Sequence, residues 1–520
     1  MTQASRGTSG GRRRSLIPLI AIPLLALTAL VSWGFASPVG ASPDDDYHLA
    51  SIWCGSGATT EMCEPGDADD ERRVSVDIER SAVCYAFNPE QSAGCQGDGS
   101  GYGDDLTTGL TSTDRGNFDG SYPPVYYFVM SAFAGDDLQT SALVMRIANS
   151  VLFVALVTGL FLLLPLARRS TLVASIAVSI VPLGIFLIPS NNPSGWAILS
   201  AGTLWIALIG FFETTGARRI ALAGTALLST VIGAGARADS AIYAVLAIGA
   251  VLLLKFRAER QFFVLSLVPL AMIVPAVLIF LSSRQSTAAT TGLDPNFVRP
   301  VYGRFTLIVD NLLQVPGLWF GVFGTSGFRT SGLGWLDTAM PAAVSFLAMA
   351  AFVALVAIGF GASSRRKTLA ALYVFALVLF IPWLILYQTQ TVVGDGVQPR
   401  YLIPLVVLFA GIALFQPSMN TIRITREQLI AVATALAVAN AVALHYNLRR
   451  YVTGVDVGGG NLDSRVEWWW SIPVSPMGMW AVGALSFAAM IVWLAMIWSA
   501  RTTGRPDEGL VAPATQRLPV

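Results

Sequence analysis

Residues 12–48 read RRRSLIPLIAIPLLALTALVSWGFASPVGASPDDDYH: three arginines, an unbroken apolar run, then three consecutive carboxylates with a tyrosine and a histidine. An apolar run of this length crosses a hydrocarbon core about 30 Å thick, which takes about 20 helical residues. Basic residues before a span hold that end in the cytoplasm, so the carboxylates are expected on the outer face. The small residues of FASPVGAS also suit a cleaved signal peptide, although the apolar core is long for one.

The rest of the chain repeats this grammar. Of 520 residues, 54% are hydrophobic and only 12% charged, and mean hydropathy is +0.61, whereas soluble proteins are about a quarter charged. A net charge of +1 leaves no basic excess to neutralise phosphates of a nucleic acid. The sequence predicts an all-α polytopic membrane protein of about twelve transmembrane helices, near 16–36, 141–166, 171–189, 195–213, 219–236, 240–255, 261–282, 341–361, 368–388, 401–416, 427–445 and 478–499. Every second span ends in basic residues: ARRS (167–170), GARR (216–219), KFRAER (255–260), SSRRK (363–367), RITRE (423–427) and SARTTGR (499–505). The positive-inside rule then places both termini in the cytoplasm, with a basic segment at 1–15 and a polar, disordered tail at 501–520. The membrane domain is expected over 140–500, in the cell membrane.

This topology puts residues 37–139 outside, and all four cysteines (Cys54, Cys63, Cys84 and Cys95) lie there. An oxidising compartment pairs them. Four cysteines allow three pairings; the local Cys54–Cys63 and Cys84–Cys95 bridges are expected. Spacings of this kind do not resemble compact zinc motifs. Within the loop, RVSVDIERSAVCYAF (73–87) alternates enough to suggest a strand or two. Further external loops are expected near 283–340, 387–400 and 446–477. In the first of these, GRFTLIVDNLLQVPGLWFGVFG (303–324) reads as a helix on the outer membrane surface or a re-entrant piece. No internal repeat or Pro-rich linker divides the chain.

Adjacent carboxylates raise one another's pKa unless a cation or substrate is present, so one of Asp44, Asp45 and Asp46 is a candidate general base, with His48 as an auxiliary. Positive-inside bias removes arginine from outer loops, yet Arg237, Arg284, Arg299, Arg304, Arg329, Arg400, Arg449, Arg450 and Arg465 are expected there. Arg237, beside Asp239, and Arg400, at the start of the tenth span, lie nearly in the membrane, where ionisable groups face a polar cavity or a partner. The planar donor fork of arginine suits phosphate. The bland alternatives are an internal Arg237–Asp239 ion pair and a snorkelling interfacial Arg400. A carboxylate, outer arginines and a multi-helix core together suggest an enzyme acting on a lipid-linked phosphate.

Several stretches carry a resemblance: SPDDDYHLA (42–50), SYPPVYYFVMSAF (121–133), NNPSGWAI (191–198), GWLDTAMP (334–341) and VQPRYLIPL (397–405). They resemble, in order, motifs of the actinobacterial multi-pass membrane family filed as domain of unknown function 2142, which is similar to the C-type (GT-C) glycosyltransferase superfamily. The family's usual Pro-Asp-Glu-Pro is Pro43, Asp44, Asp45, Asp46 here, with His48 two positions on. The resemblance implies a GT-C-like fold, an outer active site, a polyprenyl-phosphate-linked sugar donor and inverting transfer to a glycan or protein acceptor in cell-envelope assembly. It carries the base over to Asp44 or Asp45. Phosphate binding falls to Arg237 and Arg400, with Gln398 and Tyr401 beside the latter as further substrate-binding candidates.

Asp337 in GWLDT suits a helix N-terminus and is also a substrate-binding candidate. Tyr122 and Tyr126 either lead into the second span or touch substrate. Asn191 and Asn192 form a turn before the fourth span, and Trp468, Trp469 and Trp470 suggest an aromatic belt. No cofactor is required; a divalent metal could be held by the acidic triplet, but too few oxygen ligands are defined to assert one. Two other classes fit the same charges: a transporter or flippase of lipid-linked saccharides, and a non-catalytic membrane scaffold.

Overall fold

A computed structural model describes residues 9–57, 61–96, 109–284, 301–325, 332–418 and 422–502. Arg299, Arg329 and the tail beyond residue 502 lie outside the described residues. The described chain is helical apart from a small sheet in the segment after the first span. The helices are α1 (Ser9–Phe35), α2 (Asp45–Trp53), α3 (Val76–Glu79), α4 (Val125–Ser131), α5 (Leu138–Leu163), α6 (Leu166–Ser179), α7 (Leu183–Leu187), α8 (Ser194–Glu213), α9 (Gly216–Ala236), α10 (Ala238–Lys255) and α11 (Arg260–Ser282). After these come α12 (Asn311–Val322), α13 (Ala342–Phe360), α14 (Arg365–Gln388), α15 (Ile403–Leu414), α16 (Arg426–Val452) and α17 (Pro476–Thr502).

Among the described residues, ten helices are long and apolar enough to cross a membrane. Two expected spans differ. The stretch at 171–189 breaks into α6 and α7 at Pro182, since proline has no N–H to continue a helix and disfavours the helical conformation before it. The stretch at 401–416 is the 12-residue α15, started behind Pro399 with Pro404 in its first turn and ended before Pro417. Both are nevertheless strung between the same two ends of the bundle as their long neighbours. At one end, Arg168 at the start of α6 meets Glu213 at the end of α8 (2.8 and 2.7 Å) and the Gln416 carbonyl just past α15 (2.6 Å). At the other, the turn after α7 and the approach to α15 both reach Pro43, through Asn192 and Arg400.

The centre of the bundle is α8, buried over almost its whole circumference, with α15 against it. A helix apolar all round belongs in a core. Peripheral helices such as α11 expose Leu267, Leu278 and Leu281, as suits a lipid-facing surface. The basic segments gather at one end, where helix C-termini leave carbonyls without partners. Lys255 completes the Arg168–Glu213 cluster. Arg169 donates to the Leu162 and Leu164 carbonyls (3.0 and 3.1 Å), Arg219 to Thr214 (2.6 Å) and Lys367 to Gly359 and Ala362 (2.5 and 2.9 Å). Cations there also complement the helix dipoles.

The opposite end carries the segment between α1 and α5. Cys54–Cys63 and Cys84–Cys95 are its disulfides. Strands β1 (Cys63–Pro65), β2 (Arg72–Ser75) and β3 (Leu110–Thr113) pair antiparallel in that order, with Cys63 opposite Val74 and Arg73 opposite Ser112. The expected strand at 73–87 is short, because Ser75 accepts from the Asp77 N–H (3.2 Å) and caps α3. Tyr126 likewise lies in the separate short helix α4 rather than leading directly into α5.

The 303–324 stretch is helical, with a π turn over Thr306–Asp310 before α12. It leaves Phe305, Leu312, Leu313 and Phe320 exposed and packs on α14. Trp319 donates to the Val378 carbonyl (3.3 Å) near the middle of α14. Pro382, four residues on, has no N–H to give that carbonyl, so the indole satisfies the group the proline leaves.

Candidate functional site

The site is built where α1 ends. The last carbonyls of a helix have no partner within it, and here the buried Arg146 of α5 supplies donors: Nη1 to the Gly34 and Ser37 carbonyls (2.9 and 2.6 Å) and Nη2 to Pro38 (2.6 Å). The chain then turns at Val39 and Gly40 (φ 80° at the glycine) and reaches Pro43, whose carbonyl accepts from Arg400 Nη1 (2.9 Å) and Asn192 Nδ2 (2.8 Å). Asp44 follows in the left-handed region, φ 60°, which aspartate tolerates better than most residues. That turn starts α2, and Asp44 and His48 fall four apart on one face of it.

The three carboxylates go three ways. Asp44 pairs with Arg400 and, at 3.5 Å, with Arg115; its side chain stays 36% exposed. Asp46 is held by Arg115 through Nε and by Nη2 at 2.9 Å. Asp45 is fully buried, accepting from the Ser42 hydroxyl (2.5 Å) and N–H (3.3 Å), with Arg146 at 4.0 Å. Burial works to raise the Asp44 carboxyl, but the Arg400 guanidinium, by charge and hydrogen bond, and the charge of Arg115 outweigh it and hold the group at about 2. Burial raises Asp45 to about 6 against the pull of Arg146 and Ser42.

Arg237 and Arg400 are both buried and both face Tyr401, their guanidinium carbons 4.7 and 5.1 Å from its ring centroid. Cations over aromatic faces gain from the ring quadrupole. Arg237 grips Asp239 with two parallel bonds (2.9 and 2.8 Å), touches Ser194 Oγ (3.4 Å) and lies 5.7 Å from the Tyr122 ring. The internal pair with Asp239 thus exists, beside the Asp44 cluster. Arg400 is no snorkelling anchor: it is buried on Asp44 and Pro43, and its Nε has no partner among the described residues.

His48 sits among Tyr47, Tyr122 and Tyr127, with ring centroids 5.5, 5.5 and 6.0 Å away. Its Nδ1 meets the Tyr127 hydroxyl at 2.9 Å. Burial drives its pKa well below the ordinary value; Asp44 opposes this, and Arg400, Arg237 and Arg115 add to it.

Other candidates lie elsewhere. Asp337 is bonded to Arg450 Nη2 (2.9 Å) and Thr338 (2.8 Å), and Arg450 also ties down the Gln91 and Tyr85 carbonyls (2.6 and 2.7 Å). It braces the disulfide-bonded segment against α16. Tyr126 is buried against Trp196 and Tyr127. The Oε1 atom of Gln398, two positions before Arg400 in the chain, is buried without a partner among the described residues. Trp470 donates to the Phe35 carbonyl (2.8 Å), packing the 446–477 segment on the end of α1.

The acidic triplet does not fit a divalent cation. Asp45 turns inward, while Asp44 and Asp46 spend their oxygens on guanidinium groups; a cation would enter a site already holding three arginines. Among the described residues no three His, Cys, Asp or Glu side chains gather in a metal-holding group.

Sequence reasoning missed Arg115, Arg146 and Tyr127. Arg115, in STDRGN, looks like any loop charge. Arg146, in LVMRIANS, carried a usable signal, a lone cation near the start of an apolar run.

Fold and site together define a polytopic membrane protein whose disulfide-stapled first connection sets an acidic helix start on a buried arginine, Arg400, from the far half of the chain. The chain belongs to the family described as predicted membrane protein, domain of unknown function 2142, whose family model matches residues 27–409. No curated protein matches the chain.

Proposed function

We propose that the protein is a GT-C-type glycosyltransferase that takes a sugar from a polyprenyl-phosphate donor at the disulfide-bearing face, in assembly of an envelope glycan or glycoprotein. That face lies outside the cytoplasm and both termini lie inside, as the paired cysteines and the clustering of basic residues at the other end favour. The observation that carries the reading is the meeting of an accessible carboxylate, Asp44, with buried Arg400, next to Arg237.

Arg115, Arg237 and Arg400 are matched one for one by Asp44, Asp46 and Asp239, so an incoming phosphate competes with a carboxylate. Asp44 is the one it displaces, being partly exposed and bonded to Arg400. Displacement has a chemical use. A carboxylate held at about 2 is a weak base; once the phosphate occupies Arg400, Asp44 keeps only the more distant Arg115 at 3.5 Å and gains a neighbouring negative charge, and both changes raise its basicity. Asp44 then takes the proton from the acceptor hydroxyl as that oxygen attacks the anomeric carbon. The bond from that carbon to the phosphate oxygen breaks, and polyprenyl phosphate leaves against Arg400 and Arg237. Asp45, buried on Ser42 and Arg146, has no access to an acceptor.

A transporter needs a route between the two ends. The candidate residues Asp44, Arg115, Arg237 and Arg400 gather at one end of the bundle, which favours catalysis at one face over passage.

The test is turnover by the full-length protein in nanodiscs with a panel of polyprenyl-phosphate sugars. Asp44→Asn is expected to lower turnover at least 100-fold while retaining donor binding, since only the base is lost; Arg400→Ala is expected to lose binding. Wild-type turnover surviving in Asp44→Asn would overturn the assignment of the base, and transport of intact donor by the wild type would replace the reading.

A further inference from the structure

Tyr127 and His48 form a buried pair that the transfer step above leaves unused. The Tyr127 side chain is 2% exposed and that of His48 1%, and the hydroxyl and Nδ1 lie 2.9 Å apart. On the other side of the ring, Nε2 is buried with no hydrogen-bond partner among the described residues. A buried polar atom without a partner is costly, and the two ways of placing the ring proton differ in how many such atoms they leave.

If Nδ1 carried the proton and donated to the tyrosine oxygen, two groups would be left over, the tyrosine O–H and a bare Nε2. If the tyrosine O–H donates to Nδ1, its partner among the described residues, just one remains, an Nε2–H. Burial keeps the phenol protonated, so it always has that hydrogen to give. The imidazole itself is kept neutral by burial and by Arg400, Arg237 and Arg115. His48 lies one helical turn from Asp44, with its backbone N–H on the Asp44 carbonyl at 2.9 Å.

We infer that Tyr127 holds His48 as the neutral Nε2–H tautomer and that this N–H donates a hydrogen bond to an anionic phosphate oxygen of the lipid-linked ligand, adding a neutral donor to the two guanidinium groups. The ligand class rests on the function proposed above; the tautomer does not. Tyr127 is a positioning residue, acting through His48. The arrangement makes His48 a donor to the departing phosphate rather than a second base, and leaves proton removal to Asp44.

The protein contains two histidines, so imidazole-15N-labelled full-length protein in nanodiscs gives two ring spin systems, and His48→Gln assigns them by loss. The expected result is a protonated Nε2 and an unprotonated Nδ1 for His48, unchanged between pH 5 and 8, with the Nε2–H resonance moved by polyprenyl monophosphate and not by the uncharged polyprenol. Tyr127→Phe should release the tautomer into a mixture. In binding, His48→Gln, which keeps a donor near the Nε2 position, should hold polyprenyl phosphate within about threefold, and His48→Leu should weaken it about tenfold. A protonated Nδ1, an imidazolium in this range, or an equal response to polyprenol overturns the inference alone. A wild type that binds no polyprenyl phosphate overturns it together with the function on which its ligand rests.

Discussion

Neighbouring carboxylates of identical chemistry receive opposite electrostatics at this site. Asp44 is pulled to about 2 by guanidinium groups, and Asp45, one residue on, is pushed to about 6 by burial. The sign of their linkage to stability differs accordingly. Asp45 ionises near 3.8 in the unfolded chain, so between pH 4 and 6 the folded state binds more protons and stability falls as pH rises. Asp44 acts in the other sense, its contribution disappearing as pH drops from about 4 to 2. Unfolding midpoints of wild type and Asp45→Asn in nanodiscs between pH 4 and 7 are expected to diverge, the variant gaining on the order of 3 kcal/mol relative to wild type across the window. Equal slopes would mean that Asp45 does not titrate there. At this scale Asp44, His48, Arg237 and Arg400 were legible as charges out of place near a membrane. The choice between Asp44 and Asp45 was not, because two adjacent residues share every property of composition and position, and only the left-handed turn at Asp44 sends them to different environments.

Prolines decide much of the behaviour of single elements. Pro182 splits an expected span into α6 and α7, and Pro382 frees the Val378 carbonyl that draws Trp319 of α12 alongside α14. The amphipathic 303–324 stretch was legible as a helix, and its interruption by Pro and Gly as a sign that it does not span. Its docking site was not legible, since the orphan carbonyl that recruits it is on another helix. A double-mutant cycle in thermal unfolding tests the pairing. Trp319→Phe is expected to cost about 1 to 2 kcal/mol in the wild-type background and markedly less in Pro382→Ala, where the alanine N–H can satisfy Val378 itself. Additive effects would show that the indole bond does not answer the proline.

For the whole molecule, the same helices are tied at both ends. α8, α10 and α15 carry or adjoin Ser194, Arg237 and Arg400 at the site, and at the other end Glu213 and Lys255, with Gln416 just past α15, surround Arg168, whose guanidinium lies 4.2 Å from the Phe415 ring centroid. Removing one partner of a buried ionic cluster strands the others. Glu213→Ala is expected to destabilise the bundle by about 3 to 5 kcal/mol, read as a lower unfolding midpoint, and Glu213→Ala with Lys255→Met should recover part of the loss. A neutral Glu213→Ala would show that the cluster does not hold the four helix ends together.

Apolar length and the placement of charges are properties of short stretches, and from them alone the sequence established a polytopic membrane protein, its alternating basic ends and a cysteine-bearing first connection. Which cation meets which carboxylate is set by the path of the chain. Asp44 and Arg400 are 356 positions apart, Trp33 and Asn440 are 407 apart, and nothing local to either member names the other. Packing α8 and α15 at the centre brought those partners together, and it also let a broken helix and a 12-residue helix connect the two ends of the bundle, because neighbouring helices and side chains satisfy the backbone groups that a lone short segment would leave bare in lipid.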